Sequence, residues 1–188
     1  MRLPADAVLL IIDAEDAIDG PRPGAGGTPE PERAIAALIA AWRAEGLTLV
    51  HVGRRLAAPA SSPALPLLDG EIVIARDGTS AFAGTALEAG LDELGATTLV
   101  LCGGLKTHAL EATAQHAGDL GYQVFVVADA CRARDTIDLN GRLWPAGDVR
   151  ALTLARLKGE TATIVDVATA LRAAAAAKAR QRREAGRG

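Results

Sequence analysis

Few residues of this 188-residue chain combine reactivity with a setting that could use it. Asp13 closes the aliphatic run Ala7–Asp13 (AVLLIID), where a carboxylate can carry protons in acid/base chemistry. Arg76 follows the run Glu71–Ala75 (EIVIA). A guanidinium there stays charged at any working pH and can pair with Asp13 or grip a carboxylate or phosphate in two-pronged fashion. A strand-end arginine is also a common surface residue, so both readings stand. The two cysteines, Cys102 and Cys131, form no CxxC pattern, which excludes a disulfide scaffold and a zinc-finger site. The three histidines, His51, His108 and His116, are spread along the chain, and no metal site is expected. No GxGxxG follows a strand, so no nucleotide cofactor is implied.

These residues need elements to position them. Short aliphatic runs at Ala7–Asp13, Leu47–Gly53, Glu71–Ala75, Thr97–Cys102, Tyr122–Asp129 and Thr161–Asp166 mostly lack polar alternation. Strands buried on both faces of a parallel sheet read this way. Helical spacing of apolar residues fills the gaps: Glu32–Glu45, Thr85–Leu94, His108–Leu120, Gly147–Lys158 and Val167–Arg180. Glu45-Gly46, Leu94-Gly95 and Leu120-Gly121 read as helix ends. The alternation predicts βαβ units in a three-layer α/β/α sandwich, one domain over residues 1–172. Residues 173–188 read as an Ala/Arg-rich helix end and solvated tail. Three stretches break the pattern: Ile18–Pro31, Leu56–Gly70 and Arg132–Pro145, the last with an exposed-looking Trp144. The first two follow the first two strands and would border a ligand site at the carboxyl ends of the sheet.

Composition narrows the function. Net charge is −3 and pI about 5.6, which argues against a nucleic-acid surface. Mean hydropathy is +0.19, yet no apolar run approaches the roughly 18 residues of a membrane span. The start of the chain lacks the pattern of a signal peptide, so a cytoplasmic protein is expected.

The set Asp13, then Ser80-Ala81-Phe82-Ala83-Gly84-Thr85, then LVLCGG leading to Glu111-Ala112-Thr113-Ala114, then Ala128-Asp129-Ala130-Cys131, resembles the isochorismatase-like (cysteine) hydrolases over Ala5 to about Leu171. The resemblance implies a six-stranded, mostly parallel sheet, which agrees with the reading from periodicity. It also implies an Asp–Lys–Cys site. Asp13 matches the aspartate, but Arg76 stands at the lysine position and Ala109 at that of the nucleophile. An alanine methyl cannot attack a carbonyl, so a thiolate-dependent amidase is not expected. Cys102 reads as a small buried hydrophobe and Cys131 as a packing residue.

One branch of these hydrolases works without the cysteine: an aspartate protonates a vinyl ether and water adds to the resulting cation. Asp13 could serve in that way, with Arg76 and Lys106 holding an anionic group. Lys106, Thr107, His108, Ser80, Phe82 and Leu105 are the candidate substrate-binding residues. Thr107 or His108 equally suits the cap of the following helix. The resemblance further implies a cis peptide at Gly104–Leu105, a homo-oligomer, and a small anionic substrate. Glu15 and Asp16 would raise the pKa of Asp13 if they face the site, and Arg54 and Arg55 could meet an anion. The competing expectation is an inactive member that keeps the pocket and binds a small molecule or a partner subunit.

Overall fold

A computed structural model describes residues 1–14, 30–54 and 66–185. Among them the order is β1 (Val8–Ile12), α1 (Glu30–Glu45), β2 (Leu49–Arg54), β3 (Ile72–Arg76), α2 (Leu87–Glu93), β4 (Thr98–Gly104), α3 (Ala109–Asp119), β5 (Gln123–Arg132), β6 (Thr136–Ile137), β7 (Leu143–Trp144), α4 (Ala146–Leu157), β8 (Thr163–Val165) and α5 (Val167–Ala185). The six aliphatic runs become one sheet in the order β3-β2-β1-β4-β5-β8. Every neighbouring pair in it is parallel.

The unbroken apolar runs are explained by burial on both faces. Leu9 and Ile11 of β1 pack with Ile35, Leu38, Ile39 and Trp42 of α1 and with Ala170, Ala173, Ala174 and Ala177 of α5. Val8, Leu10 and Ile12 point the other way, into a cluster with Leu87 and Leu91 of α2, Leu110, Ala114 and Ala117 of α3, and Leu157 of α4. The result is the expected three-layer α/β/α sandwich. Small alanines let α5 lie close to α1, so the alanine-rich segment after residue 172 contributes side chains to this core.

Two departures from the expectations stand out. β5 runs on to Arg132, past a register shift against β4 between Leu101 and Gly103. The polar stretch after it folds into the β6–β7 hairpin instead of a plain loop. Trp144 is half-buried there, donating its Nε1–H to Asp138 at 3.0 Å with the Arg142 guanidinium 4.1 Å from its ring centre.

One glycine is required by contact. Gly103, near the end of β4, has φ +130°, and a Cβ there would lie 1.9 Å from the carbonyl oxygen of Ile12. The carboxyl ends of β1 and β4 can therefore approach this closely only without a side chain at 103.

Candidate functional site

The sheet order reverses between β1 and β4, and ligands of open parallel sheets bind outside the carboxyl ends of the strands at such a point. Asp13 stands there, directly after β1, with its N–H donated to the Val52 carbonyl at 2.8 Å and its side chain 1% exposed. Its Oδ2 accepts from Nη2 of Arg76, which ends β3, and from the Thr107 hydroxyl at 2.5 Å. The same guanidinium nitrogen donates to Thr107 Oγ1 at 3.2 Å, and Nη1 donates to the Gly78 carbonyl at 2.7 Å. Arg76 is buried too, so it is not the surface residue that a strand-end arginine often is. Two atoms of this pair have no hydrogen-bond partner among the described residues: Asp13 Oδ1 and Arg76 Nε. Buried polar atoms are nearly always bonded, so these two mark where a ligand or water can complete the arrangement.

The backbone is strained at the same place. Among the described residues, only Asp13 (φ 47°) and His108 (φ 57°) have positive φ without being glycine. Such conformations cost about 1–3 kcal/mol each and gather at functional sites.

The β4–α3 turn supplies the other wall. The Leu105 N–H donates to the Arg132 carbonyl at 2.8 Å, and Leu105 is buried. Lys106 is exposed, and the His108 ring is largely exposed, with Nδ1 3.7 Å from Glu111 Oε2. Neither Thr107 nor His108 caps α3 as considered above. His108 occupies the cap position without a side-chain bond, and the Thr107 hydroxyl is turned to Asp13. No peptide bond among the described residues is cis, so the expected cis Gly104–Leu105 is not found. Ala109 opens α3 with its side chain fully buried.

Ser80 and Phe82 are engaged within the protein. Ser80 Oγ lies 3.1 Å from His116 Nδ1 and accepts the Phe82 N–H at 3.2 Å. The Phe82 ring stacks on Tyr122 and lies tilted against His116. The Ala81 N–H donates to Thr113 Oγ1 at 2.9 Å, fastening this turn to α3. The part played by His116 was not foreseen, because a histidine on a helix gives no sequence sign of a serine 36 residues earlier in the chain. Asp129 is structural: its carboxylate accepts the N–H of Val167 at the start of α5.

The remaining candidates lie apart from the pair. His51 bonds to Glu71, so the three histidines do not converge. Cys102 and Cys131 are fully buried. Burial pushes the Cys102 thiol well up and that of Cys131 up to about 12, and Cys131 donates to the Val127 carbonyl. Neither is a nucleophile at neutral pH. Arg54 is exposed at the end of β2, while Glu15, Asp16 and Arg55 lie outside the described residues. An open cleft of about 740 Å³ occurs at the opposite, amino end of the sheet, between the chain start, Thr98, Gln123 and Arg180. It contains none of the residues above, and the buried, incomplete charge pair is the better marker of chemistry.

None of the helices among the described residues is long and apolar enough to cross a membrane. The chain is similar to several known proteins. A protein of the isochorismatase family from Chromobacterium violaceum is 37% identical, with a TM-score of 0.81 over 93% of this chain and 97% of its own. A Pseudomonas putida structure named an isochorismatase is 31% identical, with a TM-score of 0.78 over 90% and 92%. The uncharacterized family protein YrdC of Bacillus subtilis is 27% identical over 84% of this chain and 90% of its own. Streptothricin hydrolase of Streptomyces noursei is 33% identical over 65% of this chain and 48% of its own. Residues 7–169 match the Isochorismatase domain, and the chain belongs to the isochorismatase family.

Proposed function

We propose that this chain is a hydrolase or lyase of small anionic metabolites that works by proton transfer at Asp13, without a cysteine nucleophile. One observation carries the proposal: Asp13 Oδ2 is held by Arg76 and Thr107, while Oδ1 is buried and has no partner among the described residues. A carboxylate fixed on one side and unsatisfied on the other is oriented to exchange a proton with a bound molecule or water. Arg76 balances its charge and keeps one donor, Nε, unused. With Ala109 in the nucleophile position, water must supply the oxygen directly. For a vinyl ether, Asp13 gives a proton to the enol carbon, water adds to the resulting cation and returns a proton to Asp13, and the hemiketal expels the alcohol as the carbonyl forms. A hydrolase among the relatives, streptothricin hydrolase, is compatible with this class. Two free, buried cysteines suit a reducing compartment, and we place the protein in the cytoplasm.

The test is a screen of anionic vinyl ethers and amides on the wild type, then Asp13→Asn on any hit. Asparagine keeps the size of the side chain but cannot carry the proton. Turnover is expected to fall about 100-fold or more, with ligand affinity largely kept. Turnover undiminished in the variant overturns the role of Asp13. A second reading, an inactive member that binds a ligand, is favoured by the occupation of Oδ2 and by Ala109. Measurable binding with no turnover across the screen selects it.

A further inference from the structure

The cleft of about 740 Å³ at the amino end of the sheet is large enough for a ligand of its own, since small-molecule sites measure about 300–1,000 Å³. Three parts of the chain meet there. Residues 1–5 form one wall, and α5 forms the other through Ala177 and Arg180. The starts of β4 and β5 supply the floor, with Thr98, Gln123 and Phe125. The five residues of β1, about 17 Å long, separate the cleft from Asp13. A small molecule held here does not reach the proposed site.

The lining carries charge of one sign. Arg2 and Arg180 border the cleft, and no carboxylate among the described residues does. The chain as a whole carries −3, so the excess of positive charge is local. A concave surface of one sign concentrates ions of the other. Arg180 is held in place at the rim: its Nη2 donates to the Leu3 carbonyl, and Ala177, one turn earlier on α5, is buried. That bond uses only part of the guanidinium, whose forked N–H groups match the paired oxygens of a carboxylate or phosphate. Leu3 and Phe125 are both buried and give the cleft an apolar side, while Thr98 and Gln123 add hydrogen-bonding groups to its floor. We infer that this cleft binds a small organic oxyanion, a carboxylate or phosphate monoester on an apolar body. Arg180 and Arg2 meet the charge, and Leu3 and Phe125 meet the body.

The test is a titration of the ¹⁵N-labelled full chain with phenyl phosphate and, separately, with benzoate, followed by amide shifts. Saturable shifts are expected at Leu3, Ala5, Thr98 and Gln123 with at least one probe at millimolar concentration, and the tighter of the two names the oxyanion. Benzamide has the size of benzoate without its charge, and inorganic phosphate has the charge without the ring. Each is expected to bind about 10-fold or more weakly than its counterpart. Arg180→Gln is expected to weaken the better probe about 10-fold or more. Because Arg180 also holds the Leu3 carbonyl, Arg2→Gln serves as a second variant; Arg2 is exposed, so its loss spares the fold, and it is expected to weaken the same probe. No saturable shift at these amides with either probe overturns the inference. So does equal binding of the neutral or ringless counterparts, or an affinity unchanged in both arginine variants.

Discussion

Two arginine–carboxylate pairs hold this fold at opposite ends of its sheet, and they are finished to different degrees. At the amino end of β3, Glu71 accepts Arg43 Nε at 2.7 Å and Nη2 at 2.9 Å, together with the Leu68 N–H, and lies 3.0 Å from His51 Nε2. Arg43 Nη2 also reaches the Pro66 carbonyl, and no side-chain atom of this cluster is buried without a partner. At the carboxyl end, Asp13 and Arg76 are more deeply buried, yet each keeps an atom unpaired, and Asp13 sits on a strained backbone. A pair that only braces structure uses all its bonds within the protein. A pair with buried polar atoms left open fits the proposed site, where a ligand or water would complete it.

The sharpest way to test that contrast is to remove each arginine. Arg76→Ala leaves the buried Asp13 carboxylate without a counter-charge, and urea unfolding is expected to show a loss of about 3–5 kcal/mol. Arg43→Ala, at the wetter pair, is expected to cost only about 1.5 kcal/mol. Equal losses would break the comparison. Thr107→Val comes next: it removes the hydroxyl from Asp13 Oδ2 and is expected to cost about 1–2 kcal/mol in the same measurement, with Thr107→Ser close to wild type.

The smallest effect is in acid. The hydrogen bonds from Arg43 hold the Glu71 carboxyl down at about 2, below its usual 4.5. A depressed acid stabilises the fold at pH above 4.5 and loses that contribution as pH falls toward 2. Burial also lowers the pKa of His51 below 6.5, so its protonation favours the unfolded chain as pH drops below that value. Thermal melts are therefore expected to decline from pH 6.5 downward and again below 4.5. Glu71→Gln is expected to flatten the second step, worth about 1 kcal/mol after allowance for solvent screening.

The sheet was legible in the sequence because burial on both faces leaves long runs without polar alternation, as in VLLII of β1 and TLVLCGG of β4. Asp13 and Arg76 were legible through the resemblance, which implies a site aspartate at the end of the first strand and puts Arg76 at the position of the family's lysine. Thr107 was noticed as a candidate substrate-binding residue and as one of two candidate caps, but not as a partner of Asp13. Its bond to Asp13 spans 94 residues, and local patterns carry no trace of such a contact. The completed Arg43–Glu71–His51 cluster went unread for the same reason: it joins a helix end, a strand interior and a strand start that meet only in the fold. The β6–β7 hairpin was hidden by its two-residue strands, too short to show alternation.

The two cysteines carry a last consequence. Both are sealed in the core as protonated thiols, Cys102 beside Ile11 in the sheet and Cys131 bonded to the Val127 carbonyl. Peroxide and electrophiles attack exposed thiolates, and here there are none to attack. An isochorismatase-family site built on a reactive thiolate stops when that sulfur is oxidised. The chemistry proposed for Asp13 uses no sulfur, so hydrogen peroxide is expected to leave any turnover of this chain intact.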